Sequence, residues 1–473
     1  MKILPLLLLA ATTFGATAQT TLSSTPLAKD GGISAEMLQQ IRKAQPEAAT
    51  TRALRNALAG TSIQQLAQNA DNPDVADTHF SNEVPSAGIT DQKSSGRCWL
   101  FTGLNVMRSE MIRKYGLGSF QFSQSYCFFY DQLEKCNLFL QSIIDTSSKP
   151  LSDQTVDWLF KNPLSDGGTF CGVVDVVSKY GLVPSEVMPE SYSANNTSRM
   201  ASILSLKLRE YGLRLRQMAA KGQKAAALQK EKTQQLATLY HILTICLGEP
   251  VQQFTYTLRN AKGEVVDSVR TYTPQQFYAQ HLGRDLKQSF IMLMNDPSRP
   301  YHRTYTIDLD RHSYDGQQWT YLNLPIEEIK PLAIASIKDS TMMYFSCDVG
   351  KQLDSKAGLL SLQNYDYASL FNTTFPLSKA ERIQTYASAS SHAMTLMAVD
   401  LDANGKARKW KVENSWGAQS GQQGHLVMTD EWFDEYMFRL VVNKKYATPE
   451  LLKLLEQKPT LLPAWDPLFR GEE

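Results

Sequence analysis

The sequence predicts an α+β fold in which helices and strands occupy separate halves of the structure. Apolar residues recur at helical spacing between Leu100 and Met111, and a longer helical region covers residues 195–248. Strand patterns come later in the chain, with a buried run at 342–348 and an alternating, apolar-rich run at 391–400. We therefore expect a helical half and an antiparallel sheet half.

Cys98 lies at the start of the first predicted helix, just after a turn marked by Gly96. The unpaired N–H groups and the positive dipole end of a helix N-terminus favour an anion, and so increase the reactive thiolate fraction of a cysteine there. Gln92 can place its amide N–H beside the backbone N–H of Cys98, where both would stabilise a developing oxyanion. Since a single cysteine in an apolar helix is usually a packing residue, this interpretation needs catalytic partners.

The strand at 391–400 supplies a candidate base, His392, close to its first residue. Asn404-Gly405 suits a type I′ turn, after which the chain returns towards Asn414. Pairing that is symmetric about this turn places His392 opposite Gly417, and Asn414 is then roughly 10 Å away along the strand. A bulge or a longer loop must close this gap.

A cysteine nucleophile needs a third group that orients its histidine. An amide oxygen can accept one imidazole N–H, which fixes the tautomer and directs the other nitrogen at the thiol. We therefore interpret Cys98, His392 and Asn414 as a catalytic set, with Gln92 as the oxyanion donor.

Three short motifs surround these residues, namely Gln92–Trp99, Ser391–Met394 and Val412–Gly417. They resemble the bleomycin hydrolase and aminopeptidase C branch of the papain superfamily. The similarity extends to further segments, 166–168, 179–184, 189–193, 429–433 and 463–467, and covers essentially the whole mature chain.

The chain departs from the papain signature in two ways. Ser95 stands where that signature has its first cysteine, so the disulfide made by that cysteine in papain is absent. His392 follows Cys98 by 294 residues, against roughly 130 in the papain signature. An insertion of this size is typical of the bleomycin hydrolase branch.

The resemblance implies a papain-like fold with a substrate cleft between its two halves. It implies a cysteine-type aminopeptidase that releases N-terminal residues of peptides through a thioester on Cys98, without a cofactor or a metal ion. Asp166, Gly167 and Gly168 are expected to line the cleft, where the glycines would let a peptide backbone approach. It also implies a homo-hexamer, and a C-terminal arm at roughly 461–473 whose terminal Glu473 would meet the ammonium group of the substrate.

The first residues indicate export. A short apolar run and a small-residue cleavage site predict a secretory signal peptide at 1–18, and hence a periplasmic or secreted protein. Residues 19–80 are expected to form an N-terminal arm, because Arg52–Asn69 resembles the permanent N-terminal arm of the branch, although a removable propeptide is the alternative. The peptidase domain is expected at 81–473, with an insertion at roughly 195–340.

Composition limits the alternatives. The net charge of +1 implies no obligate polyanion partner, and no later run of about 18 apolar residues predicts a membrane span. Neither His-Glu-x-x-His nor a paired Cys-x-x-Cys pattern indicates a metal site. Two alternatives stay open: a secreted papain-like endopeptidase, and a nucleic-acid-binding homologue suggested by the local charge of +7 over residues 195–248.

Overall fold

The computed structural model describes residues 31–44 and 49–469. The chain divides into two compact units, Met1–Leu66 and Ala67–Glu473. The signal peptide predicted at 1–18 and the terminal Glu473 lie outside the described residues. The first unit holds two amphipathic helices without any buried residue, α1 (Ala35–Lys43) and α2 (Ala49–Leu58), and α3 (Ile63–Ala67) crosses the boundary.

The longest helices of the second unit lie before residue 250. In chain order, the helices of this unit are α4 (Cys98–Tyr115), α5 (Gln124–Asp145), α6 (Gln154–Lys161), α7 (Phe170–Tyr180), α8 (Tyr192–Asn195), α9 (Ser198–Ala220), α10 (Ala225–Leu247), α11 (Pro274–His281), α12 (Leu286–Ser289), α13 (Ile326–Lys338), α14 (Tyr367–Phe371), α15 (Lys379–Gln384), α16 (Asp430–Tyr436) and α17 (Pro449–Leu454). The apolar spacing noted between Leu100 and Met111 belongs to α4, which is buried along most of its length.

The strands come mainly from the second half of the chain. They are β1 (Asn82–Glu83), β2 (Phe254–Arg259), β3 (Val265–Tyr272), β4 (Phe290–Met294), β5 (Arg303–Ile307), β6 (Tyr321–Asn323), β7 (Met343–Cys347), β8 (Leu353–Asp354), β9 (Leu359–Leu360), β10 (His392–Leu401), β11 (Ala407–Glu413), β12 (His425–Thr429), β13 (Met437–Asn443) and β14 (Thr460–Leu462). Twelve form one mixed, mostly antiparallel sheet in the order β14-β5-β6-β4-β13-β7-β10-β11-β12-β9-β8, with β1 on β10, while β2 and β3 form a separate ribbon.

The central strands β7 and β10 separate two apolar cores. Because side chains alternate along a strand, Tyr344 and Ala393 face the core beneath α4, whereas Phe345 and Met394 face the core on the other side. Both strands are therefore covered on both faces, which explains why the 342–348 and 391–400 runs are so rich in apolar residues.

The turn between β10 and β11 differs from the prediction. A type I′ turn needs a positive φ at both central residues, but Gly405 has φ 78° and Asn404 does not. The connection is a five-residue loop closed by Asp402, whose carboxylate accepts hydrogen bonds from the N–H groups of Asn404 and Lys406 at 2.8 and 2.9 Å. The predicted type I′ turn was wrong because this aspartate offers the backbone a better-bonded alternative.

A bulge in β10 changes the register towards the functional end of the hairpin. Val399 pairs with Trp410, as the symmetric register requires, but Thr395 pairs with Glu413, and the shift falls between Leu396 and Ala398. Continuing this register places Asn414 opposite Met394, two residues from His392 instead of three. Since residues two apart share a face of the strand, the bulge puts the histidine and the asparagine on the same side.

A buried ion pair joins the helical half to the sheet half. Arg108 of α4 and Glu413 of β11 are each 1% exposed, and Nη2 of the arginine lies 2.5 Å from Oε1 of the glutamate. Ser86 donates a further hydrogen bond to Glu413 Oε2 at 2.7 Å. Because Glu413 directly precedes Asn414, this pair fixes the end of β11 against the helix that begins at Cys98.

We expect Glu413→Gln to lower the free energy of unfolding by about 3–5 kcal/mol, because it leaves the buried Arg108 guanidinium without a counter-charge. The double variant Arg108→Met with Glu413→Gln should lose less than the sum of the two single variants. Denaturant unfolding measures all three proteins. Glu83→Gln, which removes the exposed partner of Lys411 on the same strand, is the matched control and should cost less than about 1 kcal/mol. An equal cost for the two glutamate variants would contradict this account.

Candidate active site

Cys98 is the first residue of α4 and is partly exposed, whereas its neighbour Trp99 is fully buried. The N–H groups of Leu100 and Phe101 donate to the carbonyl of Arg97, both at 3.0 Å, so the first helical turn is closed around the cysteine. The structure therefore places the thiol at the positive end of an 18-residue helix. This is the environment that the sequence predicts for a nucleophile.

His392 and Asn414 are brought together by the hairpin. Imidazole Nε2 lies 2.8 Å from Asn414 Oδ1, and both residues are buried. The same oxygen accepts a hydrogen bond from the Ser415 N–H at 2.8 Å, so its orientation is set. Since the amide oxygen can only accept, Nε2 carries the hydrogen and Nδ1 is left as the basic nitrogen of the neutral ring.

The environment of His392 favours its neutral form. Burial lowers its pKa to about 4, against the opposing effect of the Asn414 hydrogen bond. Trp416 packs on the ring with a centroid separation of 4.8 Å and an angle of 32° between the planes. A nearby thiolate would counteract the burial, because it would stabilise the imidazolium.

Gln92 lies between the two halves. Its side-chain oxygen accepts a hydrogen bond from Ser415 Oγ at 2.7 Å, and its backbone N–H donates to the Ser415 carbonyl at 2.8 Å. Its amide nitrogen donates one hydrogen to the carbonyl of Ser95 at 2.6 Å. An amide nitrogen carries two hydrogens, so the second can serve an oxyanion beside the Cys98 turn.

The turn that precedes Cys98, residues 92–97, is held by polar contacts. They involve Ser95, which stands where the papain signature has a cysteine. Ser95 Oγ donates to the Gln92 carbonyl at 2.6 Å and accepts from Arg97 Nε at 3.0 Å. The Arg97 guanidinium makes two further bonds to the Glu190 carboxylate, at 3.2 and 2.7 Å. Arg97 itself is completely buried. A bidentate ion pair therefore fixes the residue that immediately precedes Cys98.

Asp166 contacts the turn on both sides of Cys98. Its Oδ2 accepts a hydrogen bond from the Gly96 N–H at 2.7 Å, and its backbone carbonyl accepts from Trp99 Nε1 at 2.9 Å. Thr197 Oγ1 also donates to Oδ2. The loop that begins at Asp166 is thereby attached to the nucleophile helix.

Gly168, the second glycine after Asp166, allows close packing. A β-carbon on Gly168 would collide with the ring of His312 and with Trp99. His312 is bonded to the fully buried Asp131, which itself pairs with Lys135 at 3.0 Å. Gly168 is therefore required by packing beneath the loop, in addition to any role towards substrate.

A cavity of about 550 Å³ opens beside this glycine pair and continues to the C-terminal arm. Its lining includes Gly167, Gly168, Leu309, Arg439 and Trp465. Neither Cys98 nor His392 lines it, so the cavity does not lie over the reacting atoms.

Sequence reasoning missed Ser415, Trp416 and the ion pair of Arg97 with Glu190. Ser415 and Trp416 lie within the motif that contains Asn414, and this proximity was the available signal. All six cysteines lie in the described part of the chain, and none is in a disulfide. Within the same residues, no group of three His, Cys, Asp or Glu side chains could hold a metal ion, and no helix is long and apolar enough to cross a bilayer.

A cysteine at a helix start, a histidine held by an asparagine, and helical and sheet halves joined at the site define a papain-like cysteine peptidase.

The chain matches the model of the Peptidase C1-like family over residues 32–469. It is 40% identical over 400 residues to bleomycin hydrolase of Homo sapiens, covering 82% of this chain and 88% of that protein. It is 35% identical over 419 residues to aminopeptidase C of Lactobacillus delbrueckii subsp. lactis, covering 87% and 92%. The crystal structure of PepW from Lactobacillus rhamnosis matches with a TM-score of 0.88 at 35% identity, covering 92% of this chain and 98% of that one. The chain therefore belongs to the Peptidase C1-like family, in its bleomycin hydrolase and aminopeptidase C branch.

The low pKa of His392 predicts a pH-dependent stability once the thiol is removed. In a Cys98→Ala protein, the folded-state pKa near 4 lies below the unfolded value of about 6.5. The neutral ring therefore contributes stability above pH 6.5, and this contribution is lost as the pH falls towards 4. We expect a loss of up to about 3 kcal/mol over this range. Urea unfolding at several pH values measures it, and Cys98→Ala with His392→Gln is the control. An identical pH dependence in both proteins would rule out this role of burial.

Proposed function

We propose that this protein is a cysteine-type aminopeptidase that hydrolyses N-terminal residues of peptides. The observation that carries the proposal is the buried hydrogen bond between His392 Nε2 and Asn414 Oδ1, at 2.8 Å, tied through Ser415 and Gln92 to the turn of Cys98. The names of the relatives, bleomycin hydrolase and aminopeptidases C and G, support the same class of activity.

In the proposed reaction, His392 Nδ1 first takes the proton of the Cys98 thiol, and the resulting thiolate attacks the carbonyl carbon of the first peptide bond. The oxygen becomes negative, and the second hydrogen of Gln92 Nε2 and the Cys98 N–H stabilise it. His392 transfers a proton from Nδ1 to the departing amine, which leaves a thioester. Water then attacks the thioester while His392 accepts its proton, and the free amino acid leaves as the thiol is restored.

The described residues give less support to nucleic-acid binding. Several basic side chains of α9 are engaged within the protein: Arg209 donates to the Phe160 carbonyl at 2.9 Å, and Arg214 pairs with Glu231 at 2.8 Å. Arg216 donates to the Thr146 carbonyl at 3.0 Å. A solvated, internally bonded helix face accounts for these charges without a polyanion partner.

We expect Cys98→Ala and Cys98→Ser to lower hydrolysis by at least about a thousandfold without changing the melting temperature, because each removes only the nucleophile. The assay uses matched fluorogenic peptides with free and with acetylated N-termini. Iodoacetamide should label Cys98 first among the six cysteines, because burial raises the pKa of the thiols of Cys127 and Cys136. Cys246→Ala, at a partly exposed cysteine, is the control and should keep full activity. Unchanged hydrolysis in either Cys98 variant would refute the assignment.

We also propose that the C-terminal tail restricts the cleft to free N-termini. Ala464 and Trp465 of the C-terminal arm line the same cavity as Gly167 and Gly168, which supports a course of the arm along the loop that follows Asp166. Residues 470–473 lie outside the described residues, but they include Glu472 and Glu473, and a carboxylate near the substrate ammonium would be favourable by up to about 4 kcal/mol at an effective dielectric near 20.

Deleting residues 470–473 should weaken aminopeptidase activity and admit N-acetylated or internal substrates. The deletion should start after residue 469, because Leu468 is completely buried in the core beneath α4. Replacing Glu472 and Glu473 by glutamine keeps the tail length and separates the effect of charge from that of blockage. A truncated protein with an unchanged preference for free N-termini would exclude the tail as the cause, and general cleavage of acetylated peptides by the intact protein would favour the endopeptidase alternative.

We further propose a secreted or periplasmic homo-hexamer. Large apolar side chains are exposed on several elements, which supports burial against other copies. They include Met37, Leu38 and Ile41 of α1, Leu206 and Leu213 of α9, and Val265, Val266 and Val269 of β3.

Sedimentation of the protein purified from its native host should give about six times the chain mass of 53.1 kDa, and its N-terminus should begin after residue 18. Met37→Glu with Ile41→Glu should weaken the assembly, because charges would replace apolar contacts, whereas Gln39→Glu on the same helix should not. A mass of one chain for the native protein would remove the hexamer, and an intact Met1 would remove the export proposal.

A further inference from the structure

We propose that the Asp166 carboxylate binds the α-ammonium group of the substrate, and that it is a determinant of aminopeptidase specificity on the nucleophile turn itself. This inference rests on the proposed aminopeptidase function and names the side chain that would recognise the substrate's free N-terminus. It is independent of the C-terminal tail.

The first argument is the position of Asp166. Its carboxylate is bonded to Gly96, two residues before Cys98, and its carbonyl is bonded to the indole of Trp99, one residue after Cys98. These contacts fix it on both sides of the nucleophile. Two residues of chain span at most about 7 Å, so the carboxylate lies within roughly 10 Å of the Cys98 backbone.

The second argument is that one carboxylate oxygen has no hydrogen-bond partner among the described residues. Both hydrogen bonds to the side chain, from the Gly96 N–H and from Thr197 Oγ1, go to Oδ2. Oδ1 accepts no hydrogen bond from any residue of 31–44 or 49–469. It lies over Gly96, where a β-carbon would collide with it. Asp166 is also partly exposed, whereas Thr197 is buried.

The third argument is the charge balance of the turn. Arg97 is neutralised by Glu190 at 2.7 Å, and Lys93 pairs with Asp91 at 2.5 Å. Within the described part of the chain, no lysine, arginine or histidine forms an ion pair with Asp166. Lys135, which donates to the carbonyls on either side of it, at Ser165 and Gly167, pairs with Asp131 instead. One negative charge is therefore left beside the nucleophile.

The chemistry of the substrate matches this arrangement. In an aminopeptidase substrate, the α-nitrogen is two bonds from the attacked carbonyl carbon, about 2.5 Å away. An ammonium group held there needs an anionic acceptor near the nucleophile, and an ionised carboxylate makes the strong, charge-assisted type of hydrogen bond. An acetylated N-terminus has no positive charge and would place a carbonyl group towards the same oxygen.

The test uses leucine nitrile and N-acetylleucine nitrile, to which a catalytic thiol adds reversibly, so that affinity is measured without turnover. In the full-length protein, Asp166→Asn removes the charge, while the amide oxygen can still accept the bonds from Gly96 and Thr197. We expect the inhibition constant of leucine nitrile to rise at least tenfold and that of the acetylated compound to change less than threefold. In parallel, KM for a free dipeptide amide should rise more than kcat falls.

Two further variants separate recognition from support of the turn. Thr197→Val removes one hydrogen bond from the same carboxylate but keeps its charge, so the ratio of the two inhibition constants should not change. Asp166→Glu keeps the charge and should retain part of the free-amine preference, which also provides a test if the asparagine variant does not fold.

Equal changes for both nitriles in Asp166→Asn would overturn the proposal and leave Asp166 as a support of the turn. A glutamate variant that behaves like the asparagine variant would also overturn it. The failure of the proposed function is distinguishable, because the wild-type protein would then show no hydrolysis of free N-terminal peptides and no preference between the nitriles.

Discussion

The site depends on the junction that Gln92 and Ser415 make between the two halves of the molecule. These residues are 323 positions apart, yet they exchange a side-chain and a backbone hydrogen bond at 2.7 and 2.8 Å. Ser415 also orients Asn414, which holds His392, while Gln92 also bonds the turn before Cys98. One junction therefore aligns a nucleophile on a helix with a base on a sheet.

The buried ion pair of Arg108 and Glu413 is a second connection between the two halves, in addition to the junction of Gln92 and Ser415. It connects the middle of α4 with the last residue of β11, so the helix cannot shift relative to the strand end without separating two buried charges. Such a pair contributes little net stability compared with apolar packing, but separating its partners is costly. The pair therefore keeps α4 and the end of β11 in one relative position. This matters because the reaction tolerates little displacement of the catalytic groups.

The net charge of the turn before Cys98 depends on which of its charged side chains are paired. Arg97 is buried and neutralised by Glu190, and the hydroxyl of Ser95 occupies the position that a cysteine has in the papain signature. The turn is therefore held by polar contacts where papain uses a disulfide, so its geometry does not depend on the redox state of the compartment. Among the described residues, no basic side chain pairs with the carboxylate of Asp166, so the turn is left with a negative charge.

The sequence by itself determined the helix that begins at Cys98, the strand that begins at His392, and the residue types needed for thiol chemistry, because these features depend on local periodicity and side-chain chemistry. It also indicated that a bulge or a longer loop was needed before His392 and Asn414 could meet. The tertiary structure decided that a bulge in β10 brings the two residues together. The bulge falls at Met397, whose carbonyl accepts a hydrogen bond from Val84 at 2.9 Å, and Asp402 selects the loop conformation. Only the fold revealed the contacts of Gln92 with Ser415, of Arg97 with Glu190, and of Asp166 with both sides of Cys98. These contacts join positions 67 to 323 residues apart, and long-range pairing of this kind is decided by how the two cores pack and not by any local pattern.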